Sequence, residues 1–322
     1  MGIVPLRIFV TQPLLGDAIE RLRTVGTVEV NPDARTILPK AKLIEAVREC
    51  EILCCLLHDR IDADVIDAAK SLLMISDGAI NPTNVDVARA EARGIAVATI
   101  PNIVAEATAD MQWALLLAIA RRVVEADRAL RGGLFPGGQS LHFAGARIAG
   151  KTFGSIGYGA IARFSAKRAH GFGMRVLYSK PRRLSEADEA ADGLEYRGLD
   201  DLLRESDFVA INSAYGPETH HLIGEREIGL MKPDAYLINT ARGPIIDEAA
   251  LARALRAGRI AGAGLDVFEN EPSVHPDLLA LDNVVLTPHL GSANVDTRVA
   301  IADCIADNVL AFMNSQQKHS KF

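Results

Sequence analysis

The stretch Lys151-Thr-Phe-Gly154-Ser-Ile-Gly157-Tyr-Gly159-Ala-Ile-Ala162 decides the fold. Thr152–Ile156 reads as a buried strand and Ile161–Phe172 as an amphipathic helix, so the glycines fall in a strand–turn–helix setting. That is the dinucleotide-binding fingerprint: Gly157 permits the tight turn, and Gly159 lets the backbone approach a pyrophosphate seated on the helix N-terminus. Ala162 replaces the third glycine and still allows close helix–strand packing. A glycine-rich turn alone is weak evidence, because many strand–helix turns use glycine for positive φ. Here both flanks agree with the stronger reading.

The next strand, Arg175-Val-Leu-Tyr-Ser179, sharpens the cofactor. An NAD site places Asp or Glu about 20 residues past the glycines, on the ribose hydroxyls. This chain has Ser179-Lys180-Pro181-Arg182-Arg183 there. Three cations and no acid suit a ribose 2′-phosphate, so NADP(H) is the expected cofactor and NAD(H) the alternative. The bland reading is a solvated basic loop.

Working outward, strands and helices alternate along the chain, which predicts an α/β fold with doubly wound parallel sheets. Strands are expected at residues 7–10, 52–57, 74–76 and 96–98, then at 152–156, 176–178, 208–211, 235–239, 261–265 and 284–286. Helices are expected at 15–24, 41–51, 63–69, 85–93, 161–172 and 248–257. One long helix is expected over 104–132 and a C-terminal one over 294–314. Residues 315–322 read as a frayed polar tail. With 322 residues the chain is long enough for two cores. Its net charge of −6 argues against a nucleic-acid or membrane partner. No run approaches the ~20 apolar residues of a membrane span. The N-terminal residues lack a signal peptide's features and a myristoylation site. The four cysteines have neither metal nor disulfide spacing, so no metal is expected, and reduced thiols in a cytoplasmic protein are.

Three later segments carry chemistry: Asn239-Thr-Ala-Arg-Gly243, Gly264-Leu-Asp-Val-Phe-Glu-Asn-Glu-Pro272 and Thr287-Pro-His-Leu-Gly-Ser-Ala293. Together they offer a guanidinium (Arg242), a carboxylate (Glu271) and an imidazole (His289). An arginine grips a substrate carboxylate as a fork, and an imidazole gives a proton to a developing alkoxide. A carboxylate partner fixes the imidazole tautomer and favours its charged form. The set suits reduction of a 2-keto acid. Each residue has a plainer reading: Arg242 as a surface ion pair, His289 as a hydrogen-bonded core residue, Glu271 as a loop acid with Glu269 its rival. Arg242 and His289 gain weight because each follows an apolar strand, where open α/β sheets bind ligands. His58 is the other histidine of interest, on a loop expected near the cleft.

Taken with Cys55-Leu-Leu-His-Asp-Arg-Ile-Asp62, Ala105-Glu-Ala-Thr-Ala-Asp110, Met231-Lys-Pro233 and Gly262-Ala-Gly-Leu-Asp-Val-Phe268, these motifs give a resemblance over nearly the whole chain. It resembles the D-isomer-specific 2-hydroxyacid dehydrogenases, most of all the glyoxylate/hydroxypyruvate reductase branch. The resemblance implies two Rossmann-like domains with a cleft between them. Residues 1–101 with 291–322 would form a flavodoxin-like substrate-binding domain, and 102–290 the dinucleotide-binding domain. It implies Arg242 as carboxylate clamp, Glu271 paired with His289, and His289 as proton donor. For the cofactor it implies Thr108, Ala160, Ile161, Thr219, Thr240, Ala241, Asp266 and Ser292, beside Gly157, Gly159, Ser179, Lys180, Arg182 and Arg183. For the substrate it implies Leu57 and the backbone at Ile80 and Asn81. It also implies a homodimer through the cofactor domain, to which the apolar residues over 104–132, spread over more than one helix face, are suited.

Two departures bear on substrate. The usual glycine-rich substrate loop reads Ala79-Ile-Asn-Pro-Thr-Asn84, stiffened by Pro82. The usual H-x-P reads Asn212-Ser-Ala214. Alternatives therefore stay open: the same scaffold acting on 2-ketogluconate or phosphite, or a dinucleotide-sensing corepressor-like binding protein. A thioether hydrolase of similar fold needs residues not found here.

Overall fold

The computed structural model describes residues 6–319; the reading of the extreme N-terminus falls mostly outside them, as do the last three residues of the expected tail. The chain divides into two compact units, Met1–Ile103 with Ala293–Phe322, and Val104–Ser292.

The first unit holds a parallel sheet of β1 (Leu6–Val10), β2 (Gly26–Val30), β3 (Ile52–Cys55), β4 (Met74–Asp77) and β5 (Ala96–Ala98). Its order is β2-β1-β3-β4-β5, the flavodoxin-like arrangement. β3 and β4 are buried along their whole length, as strands covered on both faces must be; β3 is apolar throughout, whereas β4 ends in the buried polar pair Ser76-Asp77. Phe9, Leu53, Cys55 and Ile75 pack with Leu43, Val47, Val65 and Ile66 from the helices Lys40–Val47 and Ala63–Ala68. The C-terminal helix Val295–His319 packs on β4 and on helix Ala18–Arg23, with Arg21 paired to Asp303 at 3.2 Å.

The second unit holds β6 (Thr152–Ile156), β7 (Arg175–Ser179), β8 (Leu194–Tyr196), β9 (Phe208–Ile211), β10 (Tyr236–Asn239), β11 (Gly262–Leu265) and β12 (Val284–Leu286). The strands are parallel in the order β12-β11-β10-β9-β6-β7-β8. The direction of winding reverses between β6 and β9, and at such a switch point the strand ends open onto a ligand crevice. Both sheets are therefore doubly wound, as the alternation predicts.

Several expectations are corrected. The long helix over 104–132 is two helices, Ala105–Ala120 and Val123–Arg131. Arg122 between them adopts φ 53°. Ala146 N–H takes the Ala120 carbonyl at 2.8 Å, and Arg122 is held by Glu125 and by the His142 carbonyl. β2 and β8 lie outside the expected strands; both are short edge strands with half-exposed patterns and little apolar signal. The short helices Glu186–Asp192, Leu199–Glu205, Glu225–Leu230 and Pro276–Leu279 are likewise additions to the expected set. β3 stops at Cys55 rather than Leu57, because Leu56 N–H turns to the Asp59 carboxylate at 2.8 Å. The C-terminal helix runs to His319, through residues read as tail.

Candidate active site

The turn after β6 explains its glycines. Gly157 has φ 89°, and its N–H donates to the Ser179 carbonyl at 2.7 Å. A Cβ there would lie 2.6 Å from the backbone of Asn212, so any side chain would collide with the end of β9. Gly159 caps the 12-residue helix Ala160–Gly171 and faces open space. Ala160 and Ile161 start that helix, whose first N–H groups have no intrahelical partner. Ala162 is fully buried against the sheet.

Sequence reasoning missed a polar network beneath this turn. Gln112 is fully buried. Its amide nitrogen donates to Asn212 Oδ1 and Thr240 Oγ1, both at 3.1 Å, and its oxygen accepts from Ser165 Oγ at 2.6 Å. Asn212 donates to Ser155 Oγ at 2.9 Å, which donates to the Gly157 carbonyl at 2.7 Å. The network ties the glycine turn to the ends of β9 and β10. Its sequence signal is a glutamine at the head of the apolar run Trp113–Ala120, because a buried amide must be satisfied.

At the end of β7 the cations separate into two kinds. Arg183 forks onto Glu189 with two contacts of 2.7 Å, and Tyr178 Oη donates to the same carboxylate at 2.5 Å. These bonds, Arg183's first, hold Glu189 down at about 2. The expectation of three available cations is thus corrected: Arg183 is already paired. Lys180 and Arg182 make no ion pair among the described residues. Ser179 and Lys180 are half-buried and Arg182 is exposed.

The ends of β10, β11 and β12 lie side by side, with Asn239 opposite Leu265 and Leu265 opposite Leu286. Everything just past them gathers at one edge. Asn239 shapes the first loop, accepting from Ala241 N–H and donating to the Arg242 carbonyl, each at 3.0 Å. Arg242 donates from Nη1 to the Ala241 carbonyl at 2.7 Å and makes no ion pair among the described residues. Burial lowers its pKa, against the pull of nearby Glu271; its ordinary value is so high that it stays charged.

Glu271 Oε2 lies 2.8 Å from His289 Nδ1, and its Oε1 accepts from Phe268 N–H at 2.9 Å. Glu269 goes elsewhere, 2.8 Å from His221 Nε2. His289 has φ 56°, a conformation unusual for a non-glycine residue and often found at functional sites. Its N–H is held by the Asp266 and Thr287 carbonyls.

Asp266 is fully buried. Its Oδ1 accepts from Thr287 Oγ1 at 2.5 Å and Leu290 N–H at 2.7 Å, while Oδ2 has no partner. Desolvation raises its pKa, opposed by those bonds and by His289. A buried acceptor left open beside the strand ends fits an amide donor such as a nicotinamide carboxamide. With the open ground at Gly159, it makes these residues a fit for a dinucleotide.

The remaining residues fall as follows. Thr108 bonds its own helix at the Val104 carbonyl, 2.8 Å away, with Gly291 against it. Thr219 closes its own loop onto Gly216 and Ala214. Thr240 accepts from Gln112, and Ser292 is half-buried. In the first unit Leu57 follows β3, and Ile80 and Asn81 follow β4, at the same end of that sheet. The N–H groups of Ile80 and Asn81 donate to nothing among the described residues.

A parallel sheet with a glycine turn at its switch point and a charged set at neighbouring strand ends defines a dinucleotide-binding Rossmann unit. The family model described as "D-isomer specific 2-hydroxyacid dehydrogenase, NAD binding domain" matches residues 113–291. A glyoxylate reductase of Thermococcus gammatolerans is 45% identical over 314 residues, covering 96% of this chain and 93% of the relative. The crystal structure of the TT0316 protein from Thermus thermophilus superposes with TM-score 0.86 at 41% identity, covering 96% of this chain and 97% of that one. An NADPH-dependent glyoxylate/hydroxypyruvate reductase from Sinorhizobium meliloti, solved with NADP and malonate, gives TM-score 0.75 at 32% identity, over 96% and 93% of the two chains. The chain belongs to the D-isomer-specific 2-hydroxyacid dehydrogenase family.

Proposed function

We propose that the protein is an NADP(H)-dependent reductase of small 2-keto acids, of the glyoxylate or hydroxypyruvate kind, forming the D-2-hydroxy acid. The observation that carries this reading is the 2.8 Å contact between His289 Nδ1 and Glu271, at the strand ends that also bear Arg242. Relatives named as glyoxylate reductases support it.

The turn Gly157–Gly159 and the N-terminal residues Ala160 and Ile161 would hold the pyrophosphate. Ser179, Lys180 and Arg182 would take the ribose phosphate, with Arg183 as a braced neighbour. Thr108, Thr219, Thr240, Ala241 and Ser292 would line the rest, and Asp266 would accept from the carboxamide. When bound, the cofactor supplies the hydride. Arg242 grips the substrate carboxylate through its unused N–H donors and polarises the ketone. In the first unit Leu57 and the N–H groups of Ile80 and Asn81 would contact the substrate. Glu271 holds the imidazole at Nδ1, so the proton delivered to the new alkoxide comes from Nε2.

We further propose a homodimer through the second unit. Val123, Leu130, Leu134, Phe135 and Leu141 are all exposed, Phe135 by 79% and Leu141 by 86%. Exposed apolar side chains concentrated in one segment suit a protein interface. Among the described residues no helix is long and apolar enough to cross a membrane. The buried free thiols of Cys50, Cys54 and Cys55 support a cytoplasmic setting. The test is NADPH oxidation at neutral pH against glyoxylate, hydroxypyruvate, pyruvate and 2-ketogluconate. Turnover with none of them would favour a binding protein instead.

A further inference from the structure

The Glu271–His289 contact depends on the segment 267–272, which has almost no regular structure of its own. Within it Phe268 N–H and a turn at Asn270 hold Glu271, and the rest of its support comes from outside. On its inner side Gly243, the residue after Arg242, is pressed so closely onto it that a Cβ would lie 1.9 Å from the Phe268 carbonyl carbon. On the far side stands Glu248, the first residue of helix Glu248–Arg256. Its Oε1 accepts from Glu269 N–H at 2.6 Å. It thus grips the backbone two residues before Glu271. Glu269 itself reaches outward to His221 Nε2.

Glu248 is only 4% exposed. A buried carboxylate must be hydrogen-bonded, and Glu248 spends its acceptor on Glu269 N–H. That bond holds the backbone from which Glu271 extends.

We propose that Glu248 is a positioning residue for the acid–base pair, holding the backbone at Glu269 so that the Glu271 carboxylate meets His289 Nδ1. This rests on reading Glu271 and His289 as the pair that handles the proton.

The test uses the full-length protein with NADPH and glyoxylate. Glu248→Ala is expected to lower kcat by about 10- to 100-fold and leave the KM for NADPH within about twofold, because the loss falls on the chemical step. The alkaline limb of the kcat–pH profile should move to lower pH, since a misplaced Glu271 no longer supports the charged imidazole. Glu248→Gln, which keeps an oxygen acceptor, should recover most of the activity and return the limb towards the parent's. A folded Glu248→Ala protein with parental kcat and pH limb would overturn the proposal. So would a lowered kcat with an unmoved limb and no rescue by Gln, which marks a structural role alone. If Glu248→Ala does not fold, Glu248→Asp, which keeps the carboxylate but draws it back by one methylene, carries the test: a limb moved to lower pH supports the proposal, and an unmoved one overturns it. A His289→Ala protein that still turns over would instead sink the acid–base reading itself.

Discussion

Asp77 at the end of β4 should be a pH-dependent liability, and Asp77→Asn should relieve it. The residue is fully buried, and one carboxylate oxygen has no partner. Its contacts are long: Asn84 Nδ2 at 3.4 Å and Cys55 Sγ at 3.7 Å. Burial, with nearby buried Asp59 adding repulsion, pushes its pKa from 3.8 up to about 6. The folded protein thus binds this proton more tightly than the unfolded chain. The group costs nothing below pH 3.8, costs progressively more as pH rises to about 6, and carries its full cost above that. A rise of about 2 pH decades, at about 1.36 kcal/mol each, gives about 3 kcal/mol. Asparagine has no charge to desolvate but adds N–H donors that need acceptors, an offset of about 1 kcal/mol or more. Asp77→Asn should therefore stabilise the protein by about 1–2 kcal/mol at pH 7.5 and by nothing, or slightly negatively, at pH 4. Urea unfolding across this range, followed by far-UV circular dichroism, measures it. The only tryptophan, Trp113, belongs to the second unit, so the gain should appear in the dichroism more than in the fluorescence. A stability difference that does not change with pH, or one larger at pH 4 than at pH 7.5, would refute the reasoning.

Three further outcomes are expected. NADPH should be preferred over NADH by at least about tenfold in kcat/KM, since one or two charge-assisted contacts contribute about 1.5–3 kcal/mol each; Lys180→Asp should shift the ratio towards NADH, whereas equal use by the parent would contradict the reading of this loop. Glu271→Gln should lower kcat and move the alkaline limb of keto-acid reduction to lower pH, while Glu269→Gln, whose partner is His221, should do much less; pH–rate profiles of both decide it. Phe135→Glu with Leu141→Glu should turn a dimer into a monomer by light scattering at micromolar concentration, and a monomeric parent would contradict the proposed assembly.

What the sequence makes legible is local. The Gly157-x-Gly159 turn is readable because strand, turn and helix are contiguous and each glycine has a separate steric reason. The alternation of apolar runs with amphipathic segments is enough to predict two parallel sheets. Pairings between distant residues are harder to read. Glu269 and Glu271 are equivalent as letters, and only the path of the segment after β11 sends one to His221 and the other to His289. Arg183 looks like a ligand cation until Glu189, in a helix the sequence does not announce, takes it. The break at Arg122 carries no glycine or proline and is held by Ala146, far along the chain. The short edge strands β2 and β8 leave no apolar run to see. Gln112 gathers Asn212, Thr240 and Ser165, none of which is its neighbour in sequence.

The central claim is that His289, oriented by Glu271, delivers the proton to a reduced 2-keto acid. Its most direct test is steady-state NADPH oxidation with glyoxylate and hydroxypyruvate by the parent and by His289→Gln, alongside NADPH binding by fluorescence. Keto-acid-dependent turnover by the parent is expected, with a fall in kcat of about 10²–10⁴ in the variant and NADPH affinity nearly unchanged. Full reductase activity in His289→Gln would contradict it.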